Sequence, residues 1–136
     1  MLTETEIKYI RVIYQLEEEG MPIVGPNDIA MTLDVSRASA HEILTKLTKK
    51  GILTHFKRKG FKFTEFGRQI AIKIIRTHRI LEIFFVTHAG LSADEACKCI
   101  SGIEFRFPQD RIEALYEKLG SPECCPHGKP IPNIDE

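Results

Sequence analysis

The sequence predicts a mainly α protein, with an N-terminal winged helix-turn-helix carrying a small β-hairpin and an α-helical domain after it. Three observations predict it. Two short helical patterns between Val24 and Gly51 flank a tight turn, two alternating runs between Ile52 and Thr64 flank a basic tip, and apolar residues then recur at helical spacing almost to Gly120.

The elements follow in order. Thr3 and Glu6 have the spacing of a capping box, and Ile7, Ile10, Ile13 and Tyr14 mark a first helix ending near Gly20. Pro26 opens a short second helix, because its missing N–H would be unpaired there anyway, and Ile29, Ala30 and Leu33 give it an apolar side. Asp34-Val35 turns the chain, and Ser36 accepts the free N–H groups of a third helix that Gly51 stops after about Lys50. Ile52–Phe56 and Phe61–Thr64 alternate like strands around Lys57-Arg58-Lys59-Gly60. Thr64 caps a long helix to about Val86, with Ile70, Ile74, Leu81 and Phe85 as its stripe. Ser92 with Glu95 opens a shorter helix through about Ile103, and Pro108 begins a last one bearing Ile112, Leu115, Tyr116 and Leu119. The segment from Ser121 to Pro132 is too rich in Pro and Gly for regular structure, and reads as a loop held by packing or by a ligand.

In the third helix Ala40, Ile43, Leu44 and Leu47 face inward, so Ala38, His41, Glu42, Thr45 and Lys49 face outward. Such a face fits the major groove of duplex DNA, with Ala38, His41 and Glu42 reading bases and Ser36, Arg37 and Ser39 meeting phosphates. Glu42 can accept from a cytosine amino group, and Lys57, Arg58 and Lys59 at the wing tip can neutralise phosphate. Winged helices also bind proteins, which leaves a protein-binding adaptor as an alternative. Charge distribution favours DNA: the chain is neutral overall, yet residues 1–80 hold 14 Lys+Arg against 9 Asp+Glu and residues 81–136 hold 5 against 10. No apolar run is long enough to span a bilayer and the N-terminus lacks a signal-peptide pattern, so the reading is cytoplasmic with no membrane partner. His41, His55, His88 and His127 stand beside no recognisable nucleophile and base, and nothing points to an enzyme.

The sustained stripe on the long helix asks for a partner, and a homodimer would hold two weak readers at fixed spacing on a palindromic site. The expected divisions are therefore residues 1–64 for the winged helix, 65–120 for a helical dimerisation and metal-sensing domain, and 121–136 for a Cys/Pro-rich tail. His78 and Glu82 are four apart on the long helix, while Cys97, Ser101 and Glu104 follow at steps of four and three on the expected next helix. Imidazole, carboxylate and thiolate together suit Fe²⁺, Mn²⁺, Co²⁺ or Zn²⁺, although a His with an i+4 Glu is also an ordinary hydrogen-bonded pair. A second sensor is conceivable in which Cys97, Cys99, Cys124 and Cys125 hold zinc or an iron–sulfur cluster, with His127 in reserve. Helix geometry opposes it, because residues two apart point to nearly opposite sides, and free thiols in small apolar pockets are the alternative.

Several segments carry a resemblance over nearly the whole chain. They are Tyr9–Leu16 in the first helix, Thr64-Glu65-Phe66-Gly67 after the wing, His78-Arg79-Ile80-Leu81-Glu82, Gly102-Ile103-Glu104, and Cys125-Pro126-His127-Gly128-Lys129-Pro130-Ile131-Pro132. Together they resemble the diphtheria-toxin-repressor family of iron- and manganese-dependent transcription factors, in a short form that stops where many relatives continue into an SH3-like domain. The resemblance implies a homodimer that binds palindromic operators in double-stranded DNA when metal is loaded, and that acts as a repressor. It implies that the family's ancillary metal site falls on His78, Glu82 and Cys97, the last standing where relatives have His. The family's primary site falls on Lys8, Arg11, Ser101, Glu104 and Phe105, of which only Glu104 is a ligand of the usual kind. Two cations facing a divalent ion are unfavourable, so an ion pair from Lys8 or Arg11 to Glu104 is expected in place of metal there. A redox regulator using the four cysteines remains the alternative sensor.

Overall fold

The structure is a computed structural model and describes residues 1–134. Six α-helices and one hairpin follow the predicted order: α1 Glu4–Glu18, α2 Pro26–Leu33, α3 Arg37–Lys49, β1 Leu53–Phe56, β2 Gly60–Phe63, α4 Glu65–Ala89, α5 Ala93–Ile100 and α6 Gln109–Lys118. A 3₁₀ turn, Glu104–Arg106, precedes α6. The fold class is the expected one. Thr3 and Glu6 cap α1 reciprocally at 2.8 and 3.0 Å, and the Ser36 hydroxyl accepts from the Ser39 N–H at 3.0 Å to start α3. Asp34, with φ of 54°, makes the left-handed turn between α2 and α3. α5 is shorter than the expected run to Ile103, because Ser101 leaves helical geometry and Gly102 follows at φ of 95°. Cys97 and Glu104 are therefore not on one helical face.

The chain forms two compact units, each described by itself. The first comprises Lys8–Ala71. Ile10, Ile13, Ile29, Leu44, Leu47, Ile52 and Leu53 are buried in it, which accounts for the inward stripes of its helices. β1 and β2 pair antiparallel, Leu53 opposite Phe63 and His55 opposite Phe61. Val24 adds a bridge on the other edge of β2, with its N–H and C=O bonded to Phe61 at 2.9 and 2.7 Å. One residue gives no alternation, which is why the sequence does not reveal it.

The start of α4 is fixed by backbone approach. The Thr64 hydroxyl donates to the Gly51 carbonyl at 2.6 Å and accepts from the Gly67 N–H at 2.9 Å. Gly67 then lies so close to β1 that a Cβ would meet the Ile52 carbonyl oxygen at 2.0 Å. Arg68 holds Glu17 of α1 in a two-pronged ion pair, and the Glu17 hydrogen bond keeps its guanidinium more basic than usual.

The second unit comprises Met1–Ile7 and Ile72–Glu136. Its core cluster is Ile80 and Leu81 of α4, Ala96 and Ile100 of α5, Ile112 of α6 and Ile131 of the tail, with Phe85, Leu115 and Leu119 half-buried against it. The expected loop from residue 121 is present and closes on itself: Cys124 bridges to Pro130, the Cys125 N–H donates to the Lys129 carbonyl at 2.8 Å, and the Gly128 N–H donates to Cys125 at 2.8 Å. Two buried arginines of α4 grip it. Arg79 donates to the Pro130 carbonyl and Arg76 to the Pro132 carbonyl at 2.9 Å. Arg76 also forms a two-pronged pair with Glu113 at 2.7 and 2.8 Å and lies 4.4 Å from the centre of the Tyr116 ring. The guanidinium holds the Glu113 carboxyl below the usual carboxylate range.

Gly67→Ala separates two opposed effects. Helix propensity favours alanine by about 1 kcal/mol, while overpacking against fixed backbone disfavours it by roughly 1–3 kcal/mol or more. At 2.0 Å from Ile52 the steric effect should dominate, so chemical denaturation should show net destabilisation. A variant as stable as the parent would mean that β1 and α4 can part freely.

Candidate metal centre and nucleic-acid interface

In the first unit, α3 and the wing present the predicted polar face. Ser36, Arg37, Ala38, Ser39, His41 and Glu42 are exposed, Thr45 is half-buried, and Lys57, Arg58 and Lys59 are exposed at the hairpin tip. Ser36 and Ser39 also share a hydroxyl hydrogen bond of 2.9 Å, and Glu42 pairs with Lys46 at 3.3 Å one turn on. Arg58 takes a left-handed backbone at φ of 67°, which makes the tight tip. The His55 ring stacks on buried Phe61 at 4.3 Å, and His41 meets the same ring edge-on at 6.4 Å. Between α3 and the wing lies a cleft of about 320 Å³ lined by Arg37, His41, His55, Arg58 and Lys59 among others. Its cationic and imidazole groups suit an anion such as a phosphate. Glu42 and burial together push the Tyr9 phenol up, burial being the larger effect.

The second unit gathers the metal-type donors. His78, Glu82 and Cys97 offer ligand atoms all within 4.8 Å of one another, and so do Glu82, Cys125 and His127. Glu82 belongs to both groups. α4 places His78 and Glu82 on one side through their i,i+4 spacing, α5 supplies Cys97, and the closed tail loop supplies Cys125 and His127.

Outer carboxylates orient both imidazoles. His78 Nδ1 lies 2.8 Å from Glu104 Oε2, and His127 Nε2 lies 2.9 Å from Asp94 Oδ1. The Glu104 contact engages Nδ1 of His78 and turns Nε2 toward Glu82. The Asp94 contact likewise engages Nε2 of His127 and turns Nδ1 toward Glu82. The distances are 3.7 Å from His78 Nε2 to Glu82 Oε1 and 3.1 Å from His127 Nδ1 to Glu82 Oε2. The second contact meets the distance for an ion pair but lacks hydrogen-bond geometry, and Glu82 Oε2 is buried without a hydrogen-bond partner. A buried carboxylate oxygen without a hydrogen bond is stabilised by a cation close beside it. Bonds of about 2.0–2.3 Å to one ion place its ligands roughly 3.0–3.8 Å apart, so these spacings fit a first-row divalent metal. Nitrogen, oxygen and sulfur donors together fit Fe²⁺, Mn²⁺ or Zn²⁺.

The other sequence candidates lie elsewhere. Cys99 and Cys124 are exposed and stand in neither group; Cys99, two residues from Cys97 on α5, leaves the helix on another side. No group among the described residues unites the four sulfurs. Ser101 is half-buried at the end of α5 and Phe105 is exposed. Glu104 sets Oε2 against His78 and accepts from the Gly102 N–H at Oε1, 2.8 Å away; Lys8 is exposed and Arg11 half-buried. Asp94 and the outer role of Glu104 escape sequence reasoning, because no spacing links them to the histidines they hold. His127 stands with Glu82 and Cys125 in the second group.

Comparison with known proteins agrees with this architecture. Residues 1–61 match the N-terminal DNA binding domain of the iron dependent repressors, and residues 64–133 match their metal binding and dimerisation domain. The chain belongs to the iron-dependent repressor family. The iron-dependent repressor IdeR of Mycobacterium bovis is 32% identical over 135 residues, which cover 99% of this chain and 58% of IdeR. The structure of the manganese regulator SloR is similar with a TM-score of 0.85 at 28% identity, covering 100% of this chain and 62% of SloR. A hypothetical protein, SSo2273 of Sulfolobus solfataricus, aligns at 30% identity with a TM-score of 0.70, covering 97% of this chain and 100% of that one. The chain thus spans less than two thirds of the length of the curated relative. No helix among the described residues is long and apolar enough to cross a membrane.

Within this family member, Glu104 lies 2.8 Å from His78 Nδ1, where it can orient the ring. Glu104→Gln removes the anionic acceptor while keeping the side-chain shape, and should weaken divalent-metal binding about 10–100-fold. Competition against a coloured chelator measures this. Unchanged affinity would dismiss Glu104 from its supporting role.

Proposed function

We propose that the chain is a cytoplasmic, metal-responsive DNA-binding repressor, acting as a homodimer on palindromic operators in double-stranded DNA. It is read as a regulator and not as an enzyme. The observation that carries this is the buried, unbonded Oε2 of Glu82 among oriented histidines and two cysteines, joined to a winged helix whose reading face is open. Family membership supports it, as does the printed description of IdeR as an iron-dependent repressor.

His78, Glu82, Cys97, Cys125 and His127 hold the regulatory ion, and Fe²⁺, Mn²⁺ or Zn²⁺ bound there would supply positive charge that ties α4, α5 and the tail together. Arg76 and Arg79 position the tail donors by holding its backbone carbonyls. Residues 1–64 carry DNA recognition, 65–120 dimerisation and sensing, and the tail from 121 completes the metal site. On the DNA side, Ala38, His41, Glu42 and Thr45 face the bases, while Ser36, Arg37, Ser39, Lys57, Arg58 and Lys59 meet phosphates. An iron–sulfur sensor is disfavoured, because Cys99 and Cys124 stand apart from the cluster. A ligand changes a regulator only by binding one state better, and a cation that locks three segments together has that property.

The test begins with duplexes selected from a random pool by the metal-loaded protein. Binding should require Fe²⁺ or Mn²⁺, and Glu82→Gln should stay weak whether or not metal is added, with anisotropy as the readout. Loss of Arg58 should weaken every duplex alike and reduce the salt slope by about one, whereas Glu42→Gln should alter sequence preference. DNA binding indifferent to both salt and metal would favour the adaptor reading instead.

A further inference from the structure

Arg68, Arg76 and Arg106 each hold a carboxylate, so their charge is answered within the fold. Arg37, Arg58 and Lys59 are in no ion pair among the described residues, and all three line the cleft of about 320 Å³ between α3 and the wing. No residue lining that cleft carries a carboxylate. Asp28 and Glu42 adjoin lining residues but are engaged, Asp28 accepting from the Gly25 N–H at 2.8 Å and Glu42 pairing with Lys46 at 3.3 Å.

We propose that this cleft binds a polyphosphate chain from solution, inorganic or carried by a nucleotide, at a site distinct from the metal centre. Charge is the first reason. Each phosphodiester of duplex DNA brings one negative charge, whereas three unanswered cations converge on one hollow and match an anion with several charges on adjoining phosphates. Size is the second, since about 320 Å³ stands at the lower end of small-molecule sites, roughly 300–1,000 Å³.

The lining is also held in place. Arg37 opens α3, and the left-handed backbone of Arg58, with φ of 67°, makes the turn that carries Arg58 and Lys59. A guanidinium meets phosphate oxygens two at a time, while lysine acts as a point charge. His55 stacks on buried Phe61 at 4.3 Å and His41 meets that ring edge-on at 6.4 Å, so one core side chain braces both imidazoles. In either tautomer an imidazole keeps an N–H to donate. Donors braced before the ligand arrives lose little freedom on binding it.

The consequence for regulation rests on the reading of α3 and the wing as the DNA face. Arg37, His41, Arg58 and Lys59 serve both ligands, so polyphosphate and duplex exclude one another. Polyphosphate would then release the protein from DNA while the metal centre stays loaded.

Calorimetric titration of the full chain at constant ionic strength, with tripolyphosphate, adenosine triphosphate and orthophosphate, tests the site without DNA. One tripolyphosphate per chain should bind about tenfold or more tighter than orthophosphate, and Arg37→Ala and Arg58→Ala should each weaken it about tenfold. Lys57→Ala, at the same tip but outside the lining, should leave it unchanged. Tighter binding of adenosine triphosphate than of tripolyphosphate would assign the nucleotide source, and the reverse order the inorganic one. Tripolyphosphate no tighter than orthophosphate, or weakened as much by Lys57→Ala as by Arg58→Ala, would overturn the site. In a second measurement tripolyphosphate should displace a bound duplex with free Mn²⁺ held constant by a metal buffer, which removes chelation as the cause. A duplex that binds while tripolyphosphate does not would overturn this inference and leave the DNA reading standing. Bound tripolyphosphate beside an undisplaced duplex would support the site and overturn its sharing with DNA.

Discussion

A carboxylate buried to 2% exposure between two imidazole rings is the constraint on which the second unit turns. A charge so placed is unfavourable by several kcal/mol unless a cation or hydrogen bonds compensate it. α4 carries the carboxylate, and two other segments converge on it: α5 through Cys97, and the tail loop through Cys125 and His127. Apolar burial alone does not explain that convergence. The core cluster of Ile80, Leu81, Ala96, Ile100, Ile112 and Ile131 lies along the same elements and brings their backbones together, but the aim of His78 and His127 comes from Glu104 and Asp94. Packing sets the distance and outer carboxylates set the direction.

The first unit obeys a different rule. Its reading face is defined by what it excludes from the interior: Ala40, Leu44 and Leu47 are buried, so His41, Glu42 and Arg37 are presented outward on α3. The wing beside it is held by contacts too close for side chains. A Cβ at Gly60 would meet the Val24 carbonyl at 2.5 Å, and Gly67 bears on the Ile52 backbone. The resulting hairpin tip puts three cations, Lys57, Arg58 and Lys59, on one tight turn without spending any apolar surface.

Much of this was legible in the sequence because it is local. Caps at Thr3, Ser36, Thr64 and Ser92, the periodic stripes and the basic hairpin depend on neighbours within a few residues, and all appear in the structure. The i,i+4 pair His78 and Glu82 was legible for the same reason. What depended on distant closure was not. The end of α5 at Ile100 broke the assumed face of Cys97, Ser101 and Glu104, and the meeting of Glu104 with His78 across 26 residues has no periodic signature. Likewise the four sulfurs suggested one cluster, whereas the chain path joins two of them to histidines and leaves Cys99 and Cys124 at the surface. The single-residue bridge at Val24 is too short to leave a pattern.

The grip of Arg76 and Arg79 on the carbonyls of Pro132 and Pro130 is directed at main chain, not at side chains. Every residue type offers the same acceptor there, so the identity of the clasped residues is free of that contact, while the arginines are not. Proline adds only stiffness at those points, having no N–H to seek another partner. The loop that presents Cys125 and His127 is in this sense a bracket fastened by its frame, and its chemistry can be exchanged at the tip without refitting the fastening.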